Sequence, residues 1–264
     1  MKGRVLIVAG SDSGGGAGIQ ADIKAVTALD AYAATAVTAL TAQNTLGVFA
    51  IHPVPIDFIR QQIELVLDDI GADAIKTGML HSAEVIETVA DAIKRKAPGV
   101  PVVVDPVMVA KGGASLLDPA ATGALRRHLL PLAALITPNA PEAAELLGAP
   151  VDSLAGLERA AQGLARLGPK AVLVKGGHVA GDTVRDVLWR EGKLEVFDSP
   201  RIASTSTHGT GCTLASGIAA GLAQGLALRD AVIRARAYVQ EAIRTAPGFG
   251  HGHGPLNHAH TVKA

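Results

Sequence analysis

Short unbroken apolar runs alternate with longer amphipathic segments along this chain. Val5–Ala9, Val102–Val104, Ala133–Ile136 and Ala171–Val174 are each bounded by Gly, Pro, Asp or Asn, as strands buried on both faces should be. Between them the period changes. Ile56, Ile59, Ile63, Val66, Leu67 and Ile70 recur at three- and four-residue spacings, with Asp57, Arg60, Glu64 and Asp68 off the stripe, and predict a helix. Val232, Ala235, Val239 and Ile243 repeat the pattern, and Asp118-Pro119 reads as an N-cap followed by proline at a first helical position. Thr183–Arg190 and Lys193–Phe197, joined at Glu191-Gly192, predict a β-hairpin, antiparallel at one side of a sheet. Strands alternating with helices imply right-handed crossovers. The fold class is therefore α/β, a central mostly parallel β-sheet flanked by helices on both faces. No Pro- or Ser-rich linker and no internal repeat interrupts residues 1–264, which are expected to form one domain.

Composition narrows the function. Lys plus Arg equals Asp plus Glu at 24 each, and aromatic residues make up 3% of the chain. Such a chain has neither the basic excess that neutralises a nucleic-acid backbone nor the rings that stack on single strands, so no nucleic-acid partner is expected. The run Val5–Ala9 is too short for a signal sequence or a membrane span, and Cys212 alone leaves no intramolecular disulfide. A cytoplasmic location without a membrane partner is the resulting expectation.

In an open parallel sheet, ligands bind beyond the carboxyl ends of the strands. Polar or glycine-rich residues come directly after four of the apolar runs: Gly10 to Gly18, Asp105 to Met108, Thr137-Pro138-Asn139 with Glu142 beyond, and Lys175-Gly176-Gly177-His178. The cluster Gly14 to Gly18 fits neither a dinucleotide fingerprint nor a Walker A loop, and serves equally as a turn or as a ligand cradle. Asp22, four residues into the next helix, is placed to face the strand ends. Ser204 to Cys212 leads into a helix of small residues. There a Gly209-Thr210-Gly211 turn converges backbone N–H groups at a positive helix end, a hole for a phosphoryl group.

Cys212 lies in the first turn of that helix, either as a thiolate base or as a small buried hydrophobe. Asn139-Ala140-Pro141-Glu142 imitates a capping box, yet Glu142 also suits a hydrated Mg²⁺. Asp105 is a second candidate for the metal-phosphate region, and Lys175 supplies a point charge for phosphate. His251, His253, His258 and His260 match no common zinc spacing, and no cysteine joins them.

Taken in order, these segments resemble the ribokinase superfamily, and within it the hydroxymethylpyrimidine/phosphomethylpyrimidine kinases. The resemblance rests on Ala9 to Asp22, Thr38 to Thr45, Lys76 to Leu80, Asp105 to Met108, Thr137 to Asn139 with Glu142, Val174 to His178, Thr207 to Cys212 and the tail Gly250 to His258. It spans nearly the whole chain. It implies ATP as co-substrate, Mg²⁺ and a homodimer. Gln43 would hydrogen-bond an aminopyrimidine, Asp22 and Met79 would line the same pocket, and Gly10 and Val107 would lie nearby. Asp105, Asn139, Glu142 and Lys175 would serve Mg²⁺ and the ATP phosphates, while Gly209, Gly211 and Cys212 form the anion hole and catalytic position. Most of the superfamily places Asp where this chain has Cys212. Pyridoxal kinase is the nearest rival reading, and a non-catalytic pyrimidine sensor is a rival of another class. Residues 106–116, hinged at Lys111-Gly112-Gly113, are a candidate flap over the substrate.

Overall fold

The computed structural model describes residues 1–109, 113, 116 and 120–262. Residues 110–112, 114 and 115 of the candidate flap and the Asp118-Pro119 cap lie outside the described residues. The strands are β1 (Arg4–Ala9), β2 (Tyr32–Val37), β3 (Ala39–Asn44), β4 (Gly47–Pro53), β5 (Ala74–Thr77), β6 (Val102–Val104), β7 (Ala133–Ile136), β8 (Ala171–Val174), β9 (Thr183–Arg190) and β10 (Lys193–Pro200). The helices are α1 (Gly18–Ala28), α2 (Ile56–Asp69), α3 (Ala83–Lys96), α4 (Ala121–Ala124), α5 (Ala140–Leu147), α6 (Leu154–Ala165), α7 (Thr210–Ala223) and α8 (Leu228–Arg244).

Eight strands form one sheet in the order β10-β9-β8-β7-β6-β5-β1-β2. Strands β1, β2 and β5 to β8 run parallel, and the β9–β10 hairpin closes one side antiparallel. Alternation within β1 explains why its whole run is apolar. Leu6 and Val8 enter the core with Ile59, Ile86 and Leu146, while Val5 and Ile7 enter the opposite core with Leu214, Ile218 and Val232. Each such side chain contributes roughly 1.5–3 kcal/mol by leaving water. Because both faces are covered, the one end of the sheet where the parallel strands stop is left for ligands.

The sequence pattern assigned nothing to residues 32–53. They form β2 and a separate two-stranded sheet, β3–β4, whose register shifts between Ala42 and Gln43. Its outward residues include Leu40 and Phe49, both exposed, so the alternation of a half-buried strand is masked by apolar residues on its open side.

The histidine-rich tail is a strap. Peptide N–H groups of His251 and Gly252 bond Thr45 Oγ1, His253 N–H donates to the Thr45 carbonyl at 2.8 Å, and His208 N–H donates to Gly254 O. A Cβ on Gly252 would lie 2.1 Å from that Thr45 carbonyl, so the glycines face the fold while His251 and His253 stay exposed. The glycines, not the histidines, explain that repeat. Among the described residues no group of three or more His, Cys, Asp or Glu is placed to hold a metal.

His258 is buried, its Nε2 2.9 Å from Thr213 Oγ1. Burial, helped by Lys24 and His260, pushes its pKa from 6.5 down to about 4. The unfolded chain thus binds a proton that the native state refuses. Stability from this group is complete above pH 6.5 and is lost as pH falls toward about 4, by roughly 3 kcal/mol. Urea midpoints of the unmodified protein should fall more steeply over this window than those of His258→Gln; equal slopes would assign the acid sensitivity elsewhere.

Candidate active site

The first strand exit folds around its own carboxylate. Asp12 is 2% exposed and accepts N–H bonds from Gly14, Gly16 and Ala17 at 2.8–3.0 Å, with His208 Nε2 2.9 Å away. Burial opposes this charge, but His208 and those N–H groups outweigh it and hold the carboxyl below its usual range. The glycine cluster therefore wraps an internal anion. Gly10 stands behind Met79, whose sulfur lies 3.0 Å from where a Gly10 Cβ would be.

Asp22 does not line the cavity, a correction to the expected role. It lies fully buried below it, taking 2.8 and 2.9 Å hydrogen bonds from Lys76 Nζ and a 2.7 Å bond from Ser216 Oγ. A carboxylate on the inward face of α1 meets the lysine of β5 before it can reach solvent. Lys76 is itself fully buried. Burial works against its charge, yet Asp22 and, more weakly, Asp105 hold its pKa above the ordinary value.

Three further exits converge. Lys175 Nζ, after β8, donates to Asp105 Oδ1, after β6, at 3.0 Å. Burial again opposes the lysine's charge, and Asp105 and Glu142 overcome it. After β7, Asn139 and Glu142 close a reciprocal capping box at 2.7 and 2.9 Å, which starts α5. Burial pushes the Glu142 carboxyl up to about 7, against the pull of Lys175 and with the push of Asp105. The capping role and a place beside the charged pair thus coexist in one residue.

Opposite this pair α7 begins. Gly209 is its N-cap with φ +81°, and a Cβ there would sit 1.8 Å from the Gly16 carbonyl. Only glycine fits, on both counts. The first-turn N–H groups of a helix have no intrahelical partner. Gly211 lies in that turn, and its missing Cβ would be 3.0 Å from Lys175 Nζ. Cys212 departs from the thiolate expectation: burial pushes its pKa up to about 12, Lys76 opposes this, and Asp22 and Asp105 reinforce it. The helix end, expected to depress the thiol, loses to desolvation and two carboxylates.

A cavity of about 840 Å³ joins these groups. Gln43, Met79, Val107, Asp105, Asn139, Glu142, Lys175, Gly209, Gly211 and Cys212 all line it; Gly10 and Asp22 do not. Residue types alone did not single out Asp12, Lys76 or His208, although all three lie in the segments that carry the resemblance. A lysine inside an apolar strand run was the one signal for Lys76. Arg236 of α8 also reaches the wall, paired with Asp186 at 2.8 Å.

A ribokinase-like sheet that gathers a lysine, two carboxylates and a glycine-started helix over one cavity defines a small-molecule kinase. Residues 12–257 match the family described as phosphomethylpyrimidine kinase. The chain is 46% identical over 256 residues to the hydroxymethylpyrimidine/phosphomethylpyrimidine kinase of Bacillus subtilis, covering 97% of this chain and 94% of that one. It is 54% identical over 258 residues to the thiamine biosynthesis bifunctional protein ThiED of Geobacter sulfurreducens, covering 97% of this chain. It spans only about half of that relative, 52% of its length. The ADP complex of Bacillus subtilis pyridoxal kinase superposes with a TM-score of 0.91 at 37% identity, covering 98% of both chains. The chain belongs to the phosphomethylpyrimidine kinase family. Among the described residues no helix is long and apolar enough to cross a membrane.

Proposed function

We propose that this chain transfers a phosphoryl group from ATP to the hydroxymethyl group of 4-amino-5-hydroxymethyl-2-methylpyrimidine, and then a second to the resulting monophosphate. The reading is carried by one convergence: Lys175, Asp105 and Glu142 face the Gly209–Cys212 helix start within the cavity that Gln43 also lines. Phosphoryl transfer needs alignment and charge neutralisation more than covalent chemistry. Lys175 would offset charge on the ATP phosphates, and the first-turn N–H groups of α7 would face the transferred group. Cys212, protonated at neutral pH, would pack the hole and need not act as an early base. For the second transfer the acceptor is already anionic, so no base is required there.

The carboxylates fit Mg²⁺. Burial and the nearby Asp105 raise the Glu142 carboxyl above its ordinary range, and an added cation would favour its ionised form. Asp105 and Glu142 would hold the ion, which supplies charge neutralisation on phosphate oxygens. Asn139, the cap partner of Glu142, would keep that carboxylate in place. A homodimer belongs to the same proposal. It rests on the family tendency and on exposed Leu40, Leu46 and Phe49 of the β3–β4 hairpin, and sedimentation velocity tests it.

The pyridoxal kinase likeness supports a second reading, salvage of a pyridine aldehyde, at lower identity than the pyrimidine kinases. A non-catalytic sensor is disfavoured because the lysine, the carboxylates and the glycine turn are all retained. Purified protein with ATP and Mg²⁺ should add two phosphates in succession to the pyrimidine and leave pyridoxal largely unreacted, followed by product mass. Preference for pyridoxal would move the assignment to the second reading. Binding of the pyrimidine without turnover would favour the sensor.

A further inference from the structure

Between Asp12 and Gln43 stands a histidine whose proton can be placed from its neighbours. His208 is 8% exposed, and its Nε2 lies 2.9 Å from Asp12 Oδ2 and 3.1 Å from Gln43 Nε2. Asp12 Oδ2 already accepts from the Gly16 and Ala17 N–H groups, so it is an ionised acceptor with no proton to give. A bare Nε2 would set one lone pair against another at 2.9 Å, a repulsion that an Nε2 hydrogen turns into a charge-assisted bond. His208 Nε2 therefore carries a hydrogen.

A protonated ring nitrogen has no lone pair for an amide N–H. Gln43 with its NH₂ toward His208 would oppose donor to donor. A half-turn of the amide exchanges its oxygen and nitrogen at nearly fixed positions. The other side of the amide accepts that exchange. Gln43 Oε1 is placed 3.3 Å from Thr41 Oγ1, but the one hydroxyl hydrogen of Thr41 goes to the Ser11 carbonyl at 2.8 Å. Thr41 Oγ1 thus has lone pairs free to accept an amide N–H and no hydrogen left to give.

We propose that His208 is a positioning residue whose single Nε2 hydrogen is shared in a three-centre bond between Asp12 Oδ2 at 2.9 Å and the Gln43 amide oxygen at 3.1 Å, holding the amide with its carbonyl toward His208 and its NH₂ toward Thr41 and fixing the sense in which the site pairs with the donor and acceptor edge of a bound heterocycle. This deepens the proposed function and rests on it for the identity of the heterocycle. The bonds join the first glycine loop, β3 and the loop before α7, three segments remote in sequence. The strap seats the same residue through His208 N–H to Gly254 O. An aminopyrimidine offers a donor amino group beside an acceptor ring nitrogen. Its 4-oxo analogue offers the reverse order, so the pair reads the orientation directly.

Long-range ¹H–¹⁵N correlation on the unliganded protein gives the ring protonation without any substrate. A hydrogen on Nε2 is expected, in the neutral ring or the imidazolium; a bare Nε2 would overturn the proposal. With turnover, the intact enzyme should prefer the 4-amino over the 4-oxo pyrimidine by about 10- to 100-fold, the effect of leaving one buried polar partner unmatched. His208→Leu should narrow that ratio to within about threefold while the KM for ATP stays within about twofold, and His208→Asn, which keeps an N–H donor, should restore part of it. An unchanged ratio in His208→Leu, with both substrates equally impaired, would reduce the residue to packing. If the intact enzyme phosphorylates neither pyrimidine, the function reading fails, and the nitrogen spectrum still decides the histidine's protonation, on which the amide orientation rests.

Discussion

Lys76→Met should lower the free energy of unfolding by about 3–5 kcal/mol, because it strands the fully buried Asp22 carboxylate in an apolar layer. Lys76 gives Asp22 both of its charged hydrogen bonds, at 2.8 and 2.9 Å, and Ser216 adds only a neutral one. The methionine replaces the stem and not the charge, so volume is nearly conserved and electrostatics dominate the change. Replacing both partners, Lys76→Met with Asp22→Leu, removes the stranded ion and should recover most of the loss. Urea unfolding of the single and double variants measures this. A single variant within about 1 kcal/mol of the unmodified protein would mean that Asp22 simply takes up a proton at little cost.

Gly209→Ala should lower kcat by about 10²–10³-fold, the effect of losing an aimed oxyanion donor. The side chain meets two obstacles at once, a left-handed backbone at φ +81° and the Gly16 carbonyl 1.8 Å from the new carbon. Relief requires the start of α7 to move by more than an ångström, and with it the N–H groups facing Lys175. Gly225 provides the comparison. It shares the backbone strain at φ +83° but has nothing within 4 Å of its missing Cβ. Gly225→Ala should therefore cost about 1–2 kcal/mol of stability and leave kcat near its starting value. Similar kcat losses in both variants would trace the defect to helix stability rather than to aim.

Parallel strands β1, β6, β7 and β8 were legible because they are buried on both faces and so appear as unbroken apolar runs between helical stripes, whereas the half-exposed edge strand β2 and β5, which carries Lys76, were not. The β3–β4 hairpin was not, since Leu40 and Phe49 face outward and erase its alternation. In the site, Lys175, Glu142 and Gly209 could be found from the polar and glycine residues at the strand exits and helix start. Asp22 was found and misplaced, because its partner is a lysine 54 residues away inside a strand. Cys212 was found with two readings open, thiolate base or small buried hydrophobe, and its surroundings favour the neutral thiol. Position at a helix end is visible in a sequence, whereas the carboxylates of Asp22 and Asp105 around the thiol are not.

The bonds that complete the cavity span great lengths of chain. Asp12 meets His208 across 196 residues, and Asp22 meets Ser216 across 194. Closing loops of that length costs conformational entropy before any of the contacts returns it. The sheet and its local crossovers can condense first, held by neighbours in sequence, while the first glycine loop and the start of α7 find each other afterwards. Any state in which those two segments have not yet met has its sheet without its catalytic constellation. A partly folded molecule would then expose the charged residues that the finished protein keeps sealed.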